Sequence, residues 1–195
     1  ISIHGHTAEI HEAVTRKTGS FAQTVAGIKN AVAQNKRGYN TTNVIITRSN
    51  YRFMPELVEF LASLGLPYVQ LSYVQTESES NRVIKDFGPL MSDAVPYLKR
   101  AIDIVLEKGG RIIIDSMPYC MLPNYEEFVV NLPFRDPPAV GVDGSGNIYQ
   151  EGTPHMVKSS NCDQCRFTAE CAGVWPNYYQ LHGLDEFVPV ALSHI

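Results

Sequence analysis

The sequence predicts an α/β protein in which a parallel sheet is followed by a smaller, loop-rich segment organised by cysteine. Three observations predict it. Short β-branched runs alternate with stretches of helical periodicity between Ile1 and Asp115, the pattern of parallel strands joined by right-handed crossover helices. After Asp115 that periodicity thins, and Pro and Gly become frequent. Three of the four cysteines then fall in one stretch, Cys162-Asp-Gln-Cys165-Arg-Phe-Thr-Ala-Glu-Cys171.

Ile1-Ser-Ile-His-Gly5 alternates apolar and polar residues and stops at glycine, as a short strand entering a loop does. The loop is expected to run to Gly19. Ser20-Phe-Ala-Gln23 has the form of a capping box, and Phe21, Val25, Ile28 and Val32 continue at helical spacing towards a stop at Gly38. Asn43-Val-Ile-Ile-Thr-Arg48 is the second strand. Pro55 suits an early helix position, and Leu57, Val58, Phe60, Leu61 and Leu64 line a helix closed by Gly65. Pro67 to Val74 is the third strand, and a polar loop from Gln75 to Arg82 follows. Ser92 is the expected cap of a helix through Val95, Leu98, Ile102, Val105 and Leu106, ending at Gly109-Gly110. Arg111-Ile-Ile-Ile-Asp115 is the fourth strand. Beyond it, Gly141 to Tyr149 reads as a turn between short strands. A domain boundary is expected near Gly110, giving residues 1–110 and 111–195. The second part is too loop-rich to hold itself without a staple, which a metal centre would supply.

Composition excludes several classes. At 195 residues and 44% apolar content the chain can bury a real core. A net charge of −4 argues against a nucleic-acid or anionic-membrane surface. No apolar run is long enough to span a bilayer, and no signal-peptide pattern opens the chain. Four cysteines are too few for a disulfide-stapled secreted scaffold, so a reducing cytoplasmic setting is expected.

A Cys-x-x-Cys turn lets two thiolates face one centre, and Cys171 returns to it after a further turn. Cys120, after the fourth strand, is the candidate fourth sulfur, with Met117, Tyr119 and Met121 as an apolar wall. Such a pattern suits an iron–sulfur cluster. Four thiolates suit zinc equally, and spacing alone does not choose between them. Trp175, Tyr178 and Tyr179 are expected to pack around the centre.

Ile1-Ser-Ile-His-Gly5, Thr15, Gly19-Ser-Phe21 and Asn43-Val-Ile-Ile-Thr-Arg-Ser-Asn50 together resemble the second half of a radical S-adenosylmethionine barrel. Cys162-x2-Cys165-x5-Cys171, preceded by the Asp143-Gly144 to Tyr149 turn, resembles the SPASM/Twitch extension of that family, which binds auxiliary iron–sulfur clusters. The resemblance covers essentially the whole chain. It implies the C-terminal half of a partial, TIM-like (β/α) barrel over residues 1–110 and an auxiliary domain over 111–195. The auxiliary 4Fe-4S cluster would be held by Cys120, Cys162, Cys165 and Cys171. S-adenosylmethionine and a peptide or small-molecule substrate would lie at the barrel, with a flavodoxin or ferredoxin as electron donor.

Two departures from the family pattern stand out. The Cys-x3-Cys-x2-Cys loop that ligates the S-adenosylmethionine-cleaving cluster is absent, since no cysteine precedes Cys120. Trp175 stands where full SPASM modules carry a further cysteine, so one cluster is expected rather than two. The resemblance therefore implies a missing N-terminal half-barrel, on the same chain or a separate one. That half would cover the open edge left by the Ile1 strand.

Strand parity puts Ser2 and His4, Asn43 and Thr47, and Gln70 and Ser72 on the lumen face, where the resemblance implies cofactor and substrate contacts. A different reading takes His4-Gly-His6, with Glu9, His11 and Asp115, as a divalent-metal site of a hydrolase. A zinc-stapled binding or scaffold module without redox chemistry is the third. A doubly wound nucleotide-binding fold would need a Gly-rich phosphate loop that Gly5-His-Thr does not supply.

Overall fold

The computed structural model describes residues 1–34, 40–74, 82–130 and 156–191. The expected helix stop at Gly38, most of the loop after Gln75, the turn from Gly141 to Tyr149, His155 and His194 lie outside the described residues. The contacts divide the chain into two units. One, the sheet unit, comprises Ile1–Val74 and Phe87–Ile114. The other, the cysteine unit, comprises Gln75–Asp86 and Asp115–Ile195.

The fold is mixed α/β with a parallel sheet. In the sheet unit, strands β1 (Thr41–Ile46) and β2 (Tyr68–Tyr73) pair in parallel, Thr41 against Tyr68 through Ile46 against Tyr73. β3 (Arg111–Asp115) lies on the far side of β2 and begins where the Arg111 N–H donates to the Pro67 carbonyl at 2.7 Å. On the other side of β1, Ser2 forms a parallel bridge to Asn43. There the Ile3 N–H donates to the Asn43 carbonyl and the Asn43 N–H to the Ile1 carbonyl. The strands therefore follow one another across the sheet in sequence order, as short crossovers require.

Helices α1 (Ala8–Thr15), α2 (Ser20–Gln34), α3 (Met54–Ser63) and α5 (Met91–Glu107) belong to this unit. The core is one face of the sheet against helices. Val44, Ile46, Val69, Leu71, Tyr73, Ile112 and Ile114 are buried, as are Leu57, Val58 and Leu61 of α3 and Leu98, Ile102 and Val105 of α5. The two-residue period puts Asn43, Ile45, Gln70 and Ile113 on the opposite face, where they are half-buried. Pro55 occupies the first turn of α3, and Gly65 ends the helix in the left-handed region, φ 82°.

Local signals were overridden at the first two helices. The expected loop before Gly19 contains α1, capped by the Thr7 side chain accepting from the Ile10 N–H at 3.4 Å. The Ser20 capping box does not form. Ser20 is already helical, and its hydroxyl pairs with that of Thr15 at 2.8 Å. Glu12 of α1 takes the role instead, with Oε1 accepting from the N–H groups of Gly19 and Phe21 at 2.8 and 3.3 Å. A carboxylate at a helix N-terminus satisfies orphan donors and meets the positive end of the dipole. Ser92 likewise lies inside α5, whose N-cap position is Leu90.

The cysteine unit is built mainly of turns. After Ser116, at φ 64°, come short 3-10 turns at Tyr119–Met121, Glu126–Phe128 and Ser160–Gln164, the two-residue strand β4 (Val129–Val130), and α6 (Pro176–His182). A further helix, α4 (Arg82–Phe87), precedes α5. No helix among the described residues is long and apolar enough to cross a membrane.

Asn50, fully buried, knots the carboxyl ends of the first two strand segments. Its Nδ2 donates to the carbonyls of His4 and Ile45 at 2.9 and 2.8 Å, and its Oδ1 accepts from the Thr47 N–H at 2.7 Å and the Thr47 hydroxyl at 3.1 Å. Truncating it strands those groups away from water. Asn50→Ala is expected to lower unfolding stability by about 2–4 kcal/mol in urea titrations. A loss under about 0.5 kcal/mol would show that the knot is dispensable.

Candidate metal centre

Successive tight turns place the four cysteines. Pro118, at φ −68° and ψ 150°, leads extended backbone into the turn that carries Cys120. The Cys162 N–H donates to Ser159 and the Cys165 N–H to Cys162, each at 3.0 Å, so the Cys-x-x-Cys stretch winds as one 3-10 turn. Thr168 N–H then donates to Cys165 and Cys171 N–H to Phe167. The loop is closed at its base by Val157 and Val174, whose backbones bond in both directions at 2.8 and 3.0 Å. Tyr119 stacks on Phe167 with centroids 4.5 Å apart and planes 13° from parallel. That stack ties the Cys120 turn to the loop between Cys165 and Cys171, and Arg166 sets its guanidinium 4.6 Å from the Phe167 ring centre.

All four cysteines line one cavity. Cys120, Cys162, Cys165 and Cys171 line it together with Tyr119, Phe167, Val174 and Phe187 among others, and all four are half-buried free thiols. Burial, followed by the neighbouring Cys171, Cys165 and Cys162, pushes the Cys120 thiol up to about 12. Burial also pushes Cys171 up, against the opposing pull of the Gly173 and Tyr119 N–H groups and Lys158. A cation inside the cavity would reverse this, since a bound metal replaces the thiol protons. The donor set, soft sulfur within an apolar wall, fits zinc or an iron–sulfur cluster. Among the described residues no group of three or more His, Cys, Asp or Glu side chains is set to hold a metal ion.

The apolar wall differs in part from expectation. Tyr119 lines the cavity, whereas Met117 and Met121 are buried elsewhere in the unit. Trp175 and Tyr178 are buried without lining the cavity. The Tyr178 hydroxyl donates to Glu186, and Tyr179 is 44% exposed.

In the sheet unit the polar residues singled out by parity separate into two groups. Asn43, Ser72 and Gln70 form a hydrogen-bonded run across β1 and β2: the Ser72 hydroxyl donates to Asn43 Oδ1, and Gln70 Nε2 donates to Ser72 Oγ, each at 3.1 Å. Ser2 is exposed beside Asn43. His4 and Thr47 are committed to structure. His4 Nδ1 accepts from the Ile45 N–H at 3.2 Å, its ring stacks on His11 at 5.7 Å, and Thr47 bonds Asn50 and Ser49. His11 Nδ1 accepts from the His4 N–H at 3.0 Å. With both Nδ1 lone pairs engaged, neutral His4 and His11 carry their proton on Nε2 and have no lone pair left for a metal. This removes two ligands from the hydrolase reading.

Sequence reasoning passed over Asn50, the buried His11 as a structural acceptor, Glu12, Lys158 and Ser159. The Thr47-x-x-Asn50 spacing after a strand is a side-chain-to-backbone turn signal that could have found the first. His11, Glu12 and Lys158 act across seven or more residues, and Ser159 acts on Cys162 three residues away. No protein-family model, curated protein or solved structure matches the chain.

Burial, with His11 second, lowers His4 from 6.5 to about 4. The folded chain therefore holds this imidazole neutral while the unfolded chain protonates it. Its contribution to stability is complete above pH 6.5 and is lost as pH falls from there towards 4. Unfolding titrations should show stability declining over that window, with a shallower slope in His4→Asn. Equal slopes would contradict the assignment.

Proposed function

We propose that Cys120, Cys162, Cys165 and Cys171 hold an auxiliary iron–sulfur cluster of the 4Fe-4S type. The chain would then be the C-terminal portion of a radical S-adenosylmethionine enzyme that modifies a peptide or small molecule. The observation that carries this reading is the convergence of four free thiols, from two separated stretches of sequence, on one cavity. The likeness of Cys162-x2-Cys165-x5-Cys171 to the SPASM/Twitch pattern favours a cluster over a lone zinc. Zinc draws its sulfurs to about 2.3 Å from a single point, whereas cluster thiolates each bind a separate iron around a core. Four cysteines lining one cavity supply ligands for such a core.

When bound, such a cluster supplies one-electron transfer. The chain's residues do the rest. The cysteines give up their protons as they ligate. Tyr119, Phe167, Val174 and Phe187 limit water at the site, and the Gly173 and Tyr119 N–H groups stabilise negative charge on the Cys171 sulfur. In the sheet unit, Ser2, Asn43, Gln70 and Ser72 offer polar contacts for S-adenosylmethionine or substrate at a parallel sheet. His4 and Thr47 hold the strand ends in place beside them. The chain lacks the Cys-x3-Cys-x2-Cys loop. Cleavage of S-adenosylmethionine is therefore assigned to the missing half-barrel, and reduction to a flavodoxin or ferredoxin in the cytoplasm.

Anaerobic purification tests the reading. The expected product is brown, with about four irons and about four acid-labile sulfides per chain. Cys162→Ala, Cys165→Ala, Cys171→Ala and Cys120→Ala should each lose most of both. A colourless protein with one zinc per chain would establish the scaffold reading instead. Metal that survives Cys165→Ala but is lost with His4→Ala and His6→Ala would establish the hydrolase reading.

A further inference from the structure

The residues just before the Cys162-x2-Cys165 turn do more than lead into it. Val157 is fixed to Val174 by two backbone hydrogen bonds, so Lys158 leaves that bridge at the rim of the cysteine cavity, which it lines. Its stem runs across Gly173. A Cβ there would lie 3.0 Å from Lys158 Cγ and 2.4 Å from the Val157 carbonyl oxygen, and Gly173 has φ 96°. Only glycine leaves that path open. The Lys158 ammonium then donates to the Thr168 carbonyl at 2.8 Å, within the loop between Cys165 and Cys171. Lys158 is the only cationic side chain among the described residues that line the cavity. On the next residue, the Ser159 hydroxyl lies 3.5 Å from the Cys162 sulfur. Either atom could donate while the sulfur keeps its proton, but towards a thiolate the hydroxyl is always the donor.

We propose that Lys158 and Ser159 set the reduction potential of the cluster, an inference that rests on the cluster reading above. Reduction by a one-electron donor adds one negative charge to the cavity, and no bond is made or broken. A fixed ammonium at the rim and a hydroxyl donated to a ligand sulfur both favour the reduced, more negative form, so both raise the potential. They are positioning and tuning residues, not ligands. Because Lys158 is exposed, its contribution is a screened charge effect and weakens with salt.

The test is a potentiometric titration of the anaerobically purified full chain, followed by electron paramagnetic resonance. Wild type is compared with Lys158→Gln, Lys158→Arg and Ser159→Ala, at low and high ionic strength. Lys158→Gln and Ser159→Ala are expected to shift the potential to more negative values with iron content unchanged, and Lys158→Arg to stay near wild type. The Lys158→Gln shift should shrink at high salt, which a purely structural role of the strap would not produce. Wild-type potentials in Lys158→Gln and Ser159→Ala, with clusters intact, would overturn this inference and leave the cluster reading standing. A wild-type chain without iron would overturn both.

Discussion

Burial in an apolar cavity disfavours the thiolates of Cys120 and Cys171 unless a cation joins them, and the cysteine unit is arranged around that constraint. Burial is the first cause of the raised Cys120 and Cys171 thiols, and for Cys120 the sulfurs crowding each other come second. Burial keeps protons on the Cys120 and Cys171 sulfurs. A metal centre would replace those protons with its own charge and turn mutual repulsion into shared ligation. The turns, the Val157–Val174 bridge and the Tyr119–Phe167 stack serve to hold the sulfurs near enough for the constraint to operate. A segment with so little regular structure has few other means of ordering itself.

The sheet unit is stabilised differently. One face of its parallel sheet is apolar and covered by helices, and the polar groups at the carboxyl strand ends are satisfied from within. Asn50 spends all its hydrogen-bonding capacity on backbone and Thr47. His4 and His11 act as acceptors for backbone N–H groups, which fixes their tautomer and keeps them neutral. Histidines used this way are part of the frame, not of the chemistry. The run from Asn43 through Ser72 to Gln70 has a different character, since it lies on the sheet face that the unit's own apolar core does not occupy.

How much was legible in the sequence follows from the range of the interactions involved. β3 was readable end to end because Arg111-Ile-Ile-Ile-Asp115 is bounded by Gly110 and by Ser116 in a left-handed turn. The Phe21, Val25, Ile28 and Val32 stripe marked α2, and Gly65 marked the end of α3, since both signals lie within one element. The Cys162-x2-Cys165 turn was equally local, and the structure brings Cys120 to the same cavity. What failed was non-local. α1 is only two turns long, and its Glu12 takes the place of the Ser20 capping box through bonds to N–H groups seven and nine residues away. Trp175 and Tyr178 are expected around the centre, but neither lines the cavity: Trp175 is buried just before α6, and Tyr178, within α6, packs on His182 and on Phe187, which does line it. Lys158 carried no signal, because its path exists only once Gly173 is folded beneath it.

The central claim is that the four sulfurs bind irons of one polynuclear core. X-ray absorption at the iron and zinc edges of the anaerobically isolated chain tests it most directly. The account predicts iron with sulfur in its first shell and further irons in the next, both lost together when Cys165 is replaced by alanine. A zinc edge dominated by four sulfurs at about 2.3 Å, with no metal neighbour beyond them, would contradict it.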